Sequence, residues 1–497
     1  MYCVFLLRNI TEARYYYYTR MRTSYKLIFL FIGLYLLKIF MNGALNKAKQ
    51  QYYNKSIKGK PEESSNHEPE GSYSQTSLSS PLTRTTMGHL SHSTESAPTV
   101  STKGLKGSNG ALFEDGRITR PITLWNQDMH ISPIHDLKTL LEPMGVKFID
   151  KTLSSHCHIT KTCNPVPPLR VITQRNGFHL TPELISKFYE SYKNDSEMKT
   201  VTAFVCYHPP AMCDLFRPFK KPLIIISSIR YELGRNSPNE RWHTYNEILR
   251  NVSKDPRNVI GGNNLYDTNY IKYFTGIETK LIPSYCGYTN ESYHPRRPEF
   301  LFASTRARNV ASTGVQRGLD KRLREINSTA KVAQLRTLYG HYKYSDLANH
   351  PGIIHIPYQV SVMSLFEQYR MNIPLFVPSL ESLSEWHVKF NLLKERTWDS
   401  TFGKIPLKSR IQGVQSGIPD PNSDRNITAV KYWLQFSDFY QWPHITYYNS
   451  GEHLAEILHA MTPEKLKNIS SSMAVYNKNE QTNIKNMWKN ILINIVS

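Results

Sequence analysis

Residues Thr200–Pro209 read TVTAFVCYHP, and residues Pro222–Ile229 read PLIIISSI. Both are short apolar runs rich in β-branched and aromatic side chains, too short for a buried helix. Continuous rather than alternating hydrophobicity is the mark of a strand covered on both faces. Such strands belong to a parallel sheet with helices on either side. Upstream, ITLWNQD (Ile122–Asp128) predicts a first strand, HDLKTLLEPMG (His135–Gly145) an amphipathic helix stopped by glycine, and VKFID (Val146–Asp150) a second strand. PPLRVIT predicts another strand, and LTPELISKFYESYKND a helix with Thr181 as N-cap and Pro182 in its first turn.

Downstream the alternation continues. RWHTYNEILRNVSKD reads as a helix, RNVIGGNN as a run into a Gly-rich turn, LYDTNYIKYFTG as a helix closed by Gly276, and TKLIPSY (Thr279–Tyr285) as a strand. A second series opens at EFLFAST (Glu299–Thr305). It continues through a helical stretch over Gly318–Ala333, LRTLYG as a strand, SVMSLFEQYRMN as a helix and IPLFVPS as a strand. HLAEILHAMT and a last helix around Asn483–Ile495 follow. The fold class is therefore α/β, with two Rossmann-like halves at 111–290 and 291–497.

The residues before the first half are of another kind. Tyr25–Met41 reads YKLIFLFIGLYLLKIFM, apolar or aromatic but for Lys26 and Lys38 near its ends. Roughly 20 apolar helical residues cross a bilayer, and terminal lysines reach the headgroups. This predicts a cytoplasmic tail at 1–24, a transmembrane signal anchor at 25–42 and a disordered stem at 43–110 whose Ser, Thr, Gly and Pro content cannot bury a core. Arg8, Arg14, Arg20 and Arg22 precede the segment, but five lysines between Lys47 and Lys60 follow it, so charge alone orients it weakly. The folded body downstream favours a single-pass type II membrane protein of the Golgi or ER with a lumenal domain. A cleaved signal peptide is the rival reading.

The 497 residues carry a formal net charge of +21, dispersed along the chain, which suits an anionic partner; nucleic acid is a poor fit for a lumenal body. Of six cysteines, Cys157–Cys163 and Cys206–Cys213 are close pairs that suggest disulfides in an oxidising lumen, with Cys286 left over and Cys3 cytoplasmic. Seven N-x-S/T sequons follow the anchor, at Asn54, Asn194, Asn251, Asn290, Asn327, Asn426 and Asn468. No zinc-finger spacing, HExxH, Walker loop or nucleophile elbow is present.

The block from Leu338 to Trp386 carries the most chemistry: a loop ending in Pro357-Tyr358-Gln359, Ser361 placed to cap a helix, Glu367 at that helix's centre, then a strand and a polar loop. It resembles the donor-nucleotide half of GT-B-fold glycosyltransferases. That resemblance implies a helix carboxylate, Glu367, on the ribose diol and the backbone amides of Ser361, Val362 and Met363 near the diphosphate. It implies a UDP- or GDP-sugar as donor substrate, no tightly bound cofactor, no obligatory metal and a glycan, glycoprotein or glycolipid acceptor. The two-glutamate pattern of retaining enzymes is absent, since Leu375 stands eight positions after Glu367.

Thr305, Arg306 and Arg308 follow directly on a strand end, where open α/β sheets bind ligands, and would meet the diphosphate; Lys321 and Arg322 are weaker alternatives. In the first half, the loop after Ile122–Trp125 holds Asp128, His130 and His135. An acceptor hydroxyl needs a base, and His130 or Asp128 is the expected one, with His208 as rival. No DxD precedes an apolar strand, so no metal ligands are expected. A lumenal sulfotransferase lacks support because ITLWNQDMH has no Gly or Lys to cradle a phosphate. A glycan-binding module on a degenerate transferase fold is the non-enzymatic alternative.

Overall fold

The computed structural model describes residues 112–154, 169–231, 239–303, 310–397, 399–400 and 404–497. The expected anchor, the stem and the Cys157–Cys163 pair lie outside these residues. Among the described residues no helix is long and apolar enough to cross a membrane.

The architecture is mixed α/β with two parallel sheets. After a small hairpin, β1 (Phe113–Glu114) and β2 (Arg117–Ile118), the first sheet holds β3 (Thr123–Asn126), β4 (Lys147–Asp150), β5 (Ala203–Cys206), β6 (Leu223–Ser227), β7 (Val259–Gly262) and β8 (Lys280–Leu281). Its order is β4-β3-β5-β6-β7-β8, and every neighbouring pair is parallel. The second sheet holds β9 (Glu299–Ala303), β10 (Lys331–Gln334), β11 (Ile353–His355), β12 (Leu375–Pro378) and β13 (Thr446–Tyr448), ordered β10-β9-β11-β12-β13 and again all parallel. All residues of β3, β5, β6 and β7 are buried, which is why their sequences do not alternate. In each sheet the strand order reverses once, between β3 and β5 and between β9 and β11. The crevice beyond the carboxyl ends of such strands is where open α/β sheets bind ligands.

The longer helices are α1 (Ile131–Leu141), α2 (Pro182–Tyr192), α3 (Asn239–Val252), α4 (Leu265–Thr275), α5 (Val310–Glu325), α6 (Met363–Arg370), α7 (Leu380–Phe390), α8 (Ile427–Leu434), α9 (Gly451–His459) and α10 (Pro463–Val496). Thr181 caps α2, its hydroxyl accepting from Leu184 N, and Gly276 closes α4 at φ 74°. Cys206 and Cys213 form the expected disulfide, and Cys286 is a buried free thiol.

Several expectations need correcting. Leu169–Thr173 is irregular, since no ladder partner takes up its amides. The strand expected at LRTLYG lies earlier, at Lys331–Gln334, and Leu335–Leu338 turns helical. The helix before it is α5, and ends at Glu325. RNVIGGNN contributes β7 as well as a turn, because Gly261 and Gly262 sit too close to Lys280 and Thr268 for any side chain. β11 and β13, of three residues each, are strands too short to announce themselves in the sequence.

The last helix spans 34 residues. Buried Leu466, Ser470, Met473 and Asn477, and again Ile484, Trp488, Ile491 and Ile495, recur every three or four positions, the two runs lying seven positions, two turns, apart. Leu466 and Met473 pack into the core that holds the second sheet. Ile484, Trp488, Ile491, Leu492 and Ile495 pack with Ile122, Leu124 and Leu137 under the first. One helix thus closes both halves.

Candidate functional site

The loops at the first sheet's reversal are tied together by one carboxylate. Asp128, fully buried after β3, accepts from its neighbour His130 N at 2.6 Å through Oδ1. Its Oδ2 accepts from Tyr207 N at 3.1 Å and His208 N at 2.9 Å, at the end of β5. Burial pushes the Asp128 carboxyl up to about 8 against the opposing pull of those amides. Asp128 therefore holds the two loops in register, out of reach of solvent. Beside it Gln127 is also fully buried, with neither amide atom hydrogen bonded.

His130 is exposed and caps α1, its Nδ1 accepting from Ser132 N at 3.3 Å. That bond places the proton of a neutral ring on Nε2. The His130 and His208 rings stand edge-on with centroids 6.1 Å apart.

One turn further along α1, His135 faces the second half. Its ring lies 4.8 Å, centroid to centroid, from that of Tyr288. Tyr288 sits in the short turn Gly287–Thr289 of the segment joining the halves, and its hydroxyl donates to Glu367 Oε1 at 2.5 Å. Tyr344 donates to the same oxygen at 3.1 Å. Both of these bonds fall on Oε1, and none of those found among the described residues on Oε2. Burial raises the Glu367 carboxyl, and the two phenols work against that rise. Burial, with the Lys138 charge second, lowers His135, so its ring is neutral near pH 7.

Asp136 follows His135 and anchors the joining segment. It is buried, accepts from Tyr285 N at 2.7 Å and from Cys286 N, and burial pushes it up to about 7. Tyr293 N then donates to Met371 O at 2.9 Å, and His294 N to Ala348 O at 3.0 Å. The segment is thus pinned to α1 on one side and to the second half on the other, which positions Tyr288.

Ser361 does not cap α6: its hydroxyl donates to buried Asp438 at 2.6 Å, and Val362 occupies the cap position with no side-chain bond. A carboxylate within reach won over the helix amides. Burial also raises Asp438 well above the usual carboxylate range. Thr305, Arg306 and Arg308, directly after β9 at the second reversal, lie outside the described residues. Lys321 and Arg322 instead pair with Glu325, and Arg322 also with Glu456, on the surface.

The structure therefore brings Glu367 together with His135, through Tyr288, and places Asp128, His130 and His208 around the neighbouring loop. Tyr288 and Tyr344 were missed; a phenol in an extended connector gives no sequence signal of its own. Among the described residues no group of His, Cys, Asp or Glu side chains is disposed to hold a metal.

No family model matches the chain, and neither does any curated protein. Among solved structures the chain is similar to the glycosyltransferase SnogD from Streptomyces nogalater, at 10% identity and a TM-score of 0.31, over 72% of this chain and 99% of that one.

Proposed function

We propose that this protein is a glycosyltransferase of GT-B architecture that moves a sugar from a UDP- or GDP-sugar to an acceptor hydroxyl. The observation that carries the reading is the Glu367 carboxylate. It sits on the helix after β11, at the edge where the second sheet reverses, with Oε1 held by two phenols, which leaves Oε2 to take a hydroxyl donor in the proposed complex. A ribose diol is such a donor. Arg370, three positions further on, does not bind it: its Nη1 donates to Asn477 Oδ1 at 2.6 Å.

In the proposed reaction the neutral His135 accepts the proton of the acceptor hydroxyl. The acceptor oxygen forms a bond to the donor's anomeric carbon as the bond to the diphosphate breaks, and the nucleoside diphosphate leaves with the electron pair. Arg306, Arg308 and Thr305, with the amides at the start of α6, meet the leaving charge. His130 is the alternative base. It is less suited because its Nδ1 lone pair is engaged as a cap. Asp128 is a positioning residue for the loop.

A lumenal Golgi or ER setting, through the 25–42 anchor, is part of the proposal. It is supported by the exposure of all six sequon asparagines within the described residues, Asn194, Asn251, Asn290, Asn327, Asn426 and Asn468. Calorimetric titration with UDP and GDP tests the reading. Saturable binding that Glu367→Gln weakens by about tenfold, roughly 1.4 kcal/mol, is expected. Absence of binding by either nucleotide would overturn it.

A further inference from the structure

The first half carries a row of rings that the proton transfer proposed above does not use. The His130 ring stands 6.1 Å from that of His208, and the His208 ring 6.1 Å from that of Phe178, centroid to centroid, each pair edge to face. His130 follows β3 and His208 follows β5, the strands between which the sheet order reverses. Phe178 is brought to them by the loop before α2. Side chains at such a reversal meet the crevice where open α/β sheets take their ligands.

Backbone bonds knit the three loops together. Asp128 accepts from His130 N and His208 N, and Met129 N donates to His208 O at 2.8 Å. The third loop is closed on itself: Asn176 Oδ1 accepts from Thr173 N at 2.8 Å, its Nδ2 donates to Val171 O at 2.9 Å, and Gly177 N donates to Thr173 O at 3.0 Å. Gly177 then lies so close to Met129 that a Cβ there would collide with the methionine side chain. The rings are therefore set in place before any ligand arrives. They are not sunk into the core either: His130 is exposed, and His208 and Phe178 are half-buried.

Such a strip offers apolar ring faces beside polar imidazole edges. His130 Nδ1 accepts from Ser132 N, so the Nε2–H of its neutral ring is a hydrogen-bond donor. A sugar ring has the matching pattern, C–H groups on its face and hydroxyls round its edge, and the electron-rich face of an aromatic ring favours the former. An acyl chain would match the faces and leave the imidazole edges unused. His135 lies five residues beyond His130, about 7.5 Å along α1. A hydroxyl at His135 thus belongs to one sugar unit while its neighbour rests on the row.

We propose that Phe178, His208 and His130 form an acceptor subsite for the second unit of an oligosaccharide, with Phe178 as its stacking face. The proposal rests on the glycosyltransferase reading and deepens it, since it makes the acceptor a saccharide chain of at least two units.

The test is saturation-transfer NMR and titration of the full chain, in a sugar-free detergent, with maltose, cellobiose, lactose and N,N′-diacetylchitobiose. At least one disaccharide should receive saturation on its ring C–H protons and bind more tightly than its monosaccharide. Phe178→Ala should weaken it by about tenfold, roughly 1.4 kcal/mol, and Phe178→Tyr, which keeps the face, should restore it. His130→Ala, at an exposed position, should weaken it as well, whether or not the Phe178 variant folds. No saturable binding of any disaccharide by roughly 10 mM would overturn the proposal. Equal loss in Phe178→Ala and Phe178→Tyr would do so too, as would transfer to a serine-containing heptapeptide and to none of the sugars. UDP and GDP titrations of the unaltered chain read the donor side alone. Disaccharide binding without nucleotide binding would sink the transferase reading, and nucleotide binding without disaccharide binding would sink this subsite only.

Discussion

Arg230 and Asp267 form a bidentate ion pair in the interior, with Nε 2.9 Å from Oδ1 and Nη2 3.0 Å from Oδ2, each residue 1% exposed. The third nitrogen of the guanidinium crosses to the other half and donates to Arg396 O at 2.9 Å. Removing one member strands the other charge, which costs about 3–5 kcal/mol. Arg230→Met should therefore lower the urea midpoint strongly. Arg230→Met with Asp267→Leu should recover much of the loss, and a double-mutant cycle measures the coupling.

Tyr288 donates to Glu367 and so favours the charged carboxylate. Tyr288→Phe removes that donor and should raise the glutamate further. Nucleotide affinity should fall, and its acid limb should move to higher pH by up to about one unit, or 1.4 kcal/mol. Titrations of UDP or GDP between pH 5 and pH 8 check this. A substitution acting only through packing would lower affinity without moving the limb.

His135→Gln should lower kcat by about 10²–10⁴ while leaving nucleotide affinity nearly unchanged. His130→Gln should cost far less, because its ring serves as a helix cap. If the ordering is reversed, the base lies at His130.

Asp128 gives the fold a distinctive pH dependence. Its carboxyl is raised to about 8 in the folded chain, so the native state holds a proton the unfolded state has released. Stability from this group is full below the unfolded value and is lost as pH rises toward 8, with a slope of up to about 1.4 kcal/mol per pH unit. His135, His355 and His387 have lowered values and act in the opposite sense, but only below the unfolded histidine range. Denaturation measured between pH 6.5 and pH 8 reads the raised carboxyls without the histidines: Asp128, with Asp136, Asp438 and Glu367 acting in the same sense. Stability should decline across that window, and Asp128→Asn should flatten the decline.

Trp488 is 1% exposed and lies against the first half's core from the far end of the chain. Trp488→Ala should cost about 3–5 kcal/mol. Because the lost contacts belong to the first sheet, limited proteolysis should open that half first.

The parts of the fold legible in sequence were those where burial dominates composition. PLIIISSI and TVTAFVCY could only be central strands, and Thr181-Pro182 and Gly276 marked helix ends through backbone chemistry. Lys331–Gln334 was misplaced because an edge strand is partly exposed and carries no apolar run. Ile353–His355 was missed because three residues set no period. In the site, Glu367 was legible from its place on a helix after a loop. Its phenol partners were not, since Tyr288 lies 79 positions away and is brought in only by the Asp136 anchor. Ser361 was read as a cap because sequence shows the helix start but not the aspartate that comes to meet it.

The long closing helix follows both sheets in chain order, yet each half depends on it for part of its core. During synthesis the first sheet is finished some two hundred residues before Ile484–Ile495 leaves the ribosome. Until then the apolar patch around Leu124 and Leu137 has no cover. The nascent first half thus waits with apolar surface uncovered, and a sequence change near the end of the chain will be felt as a folding defect near its beginning.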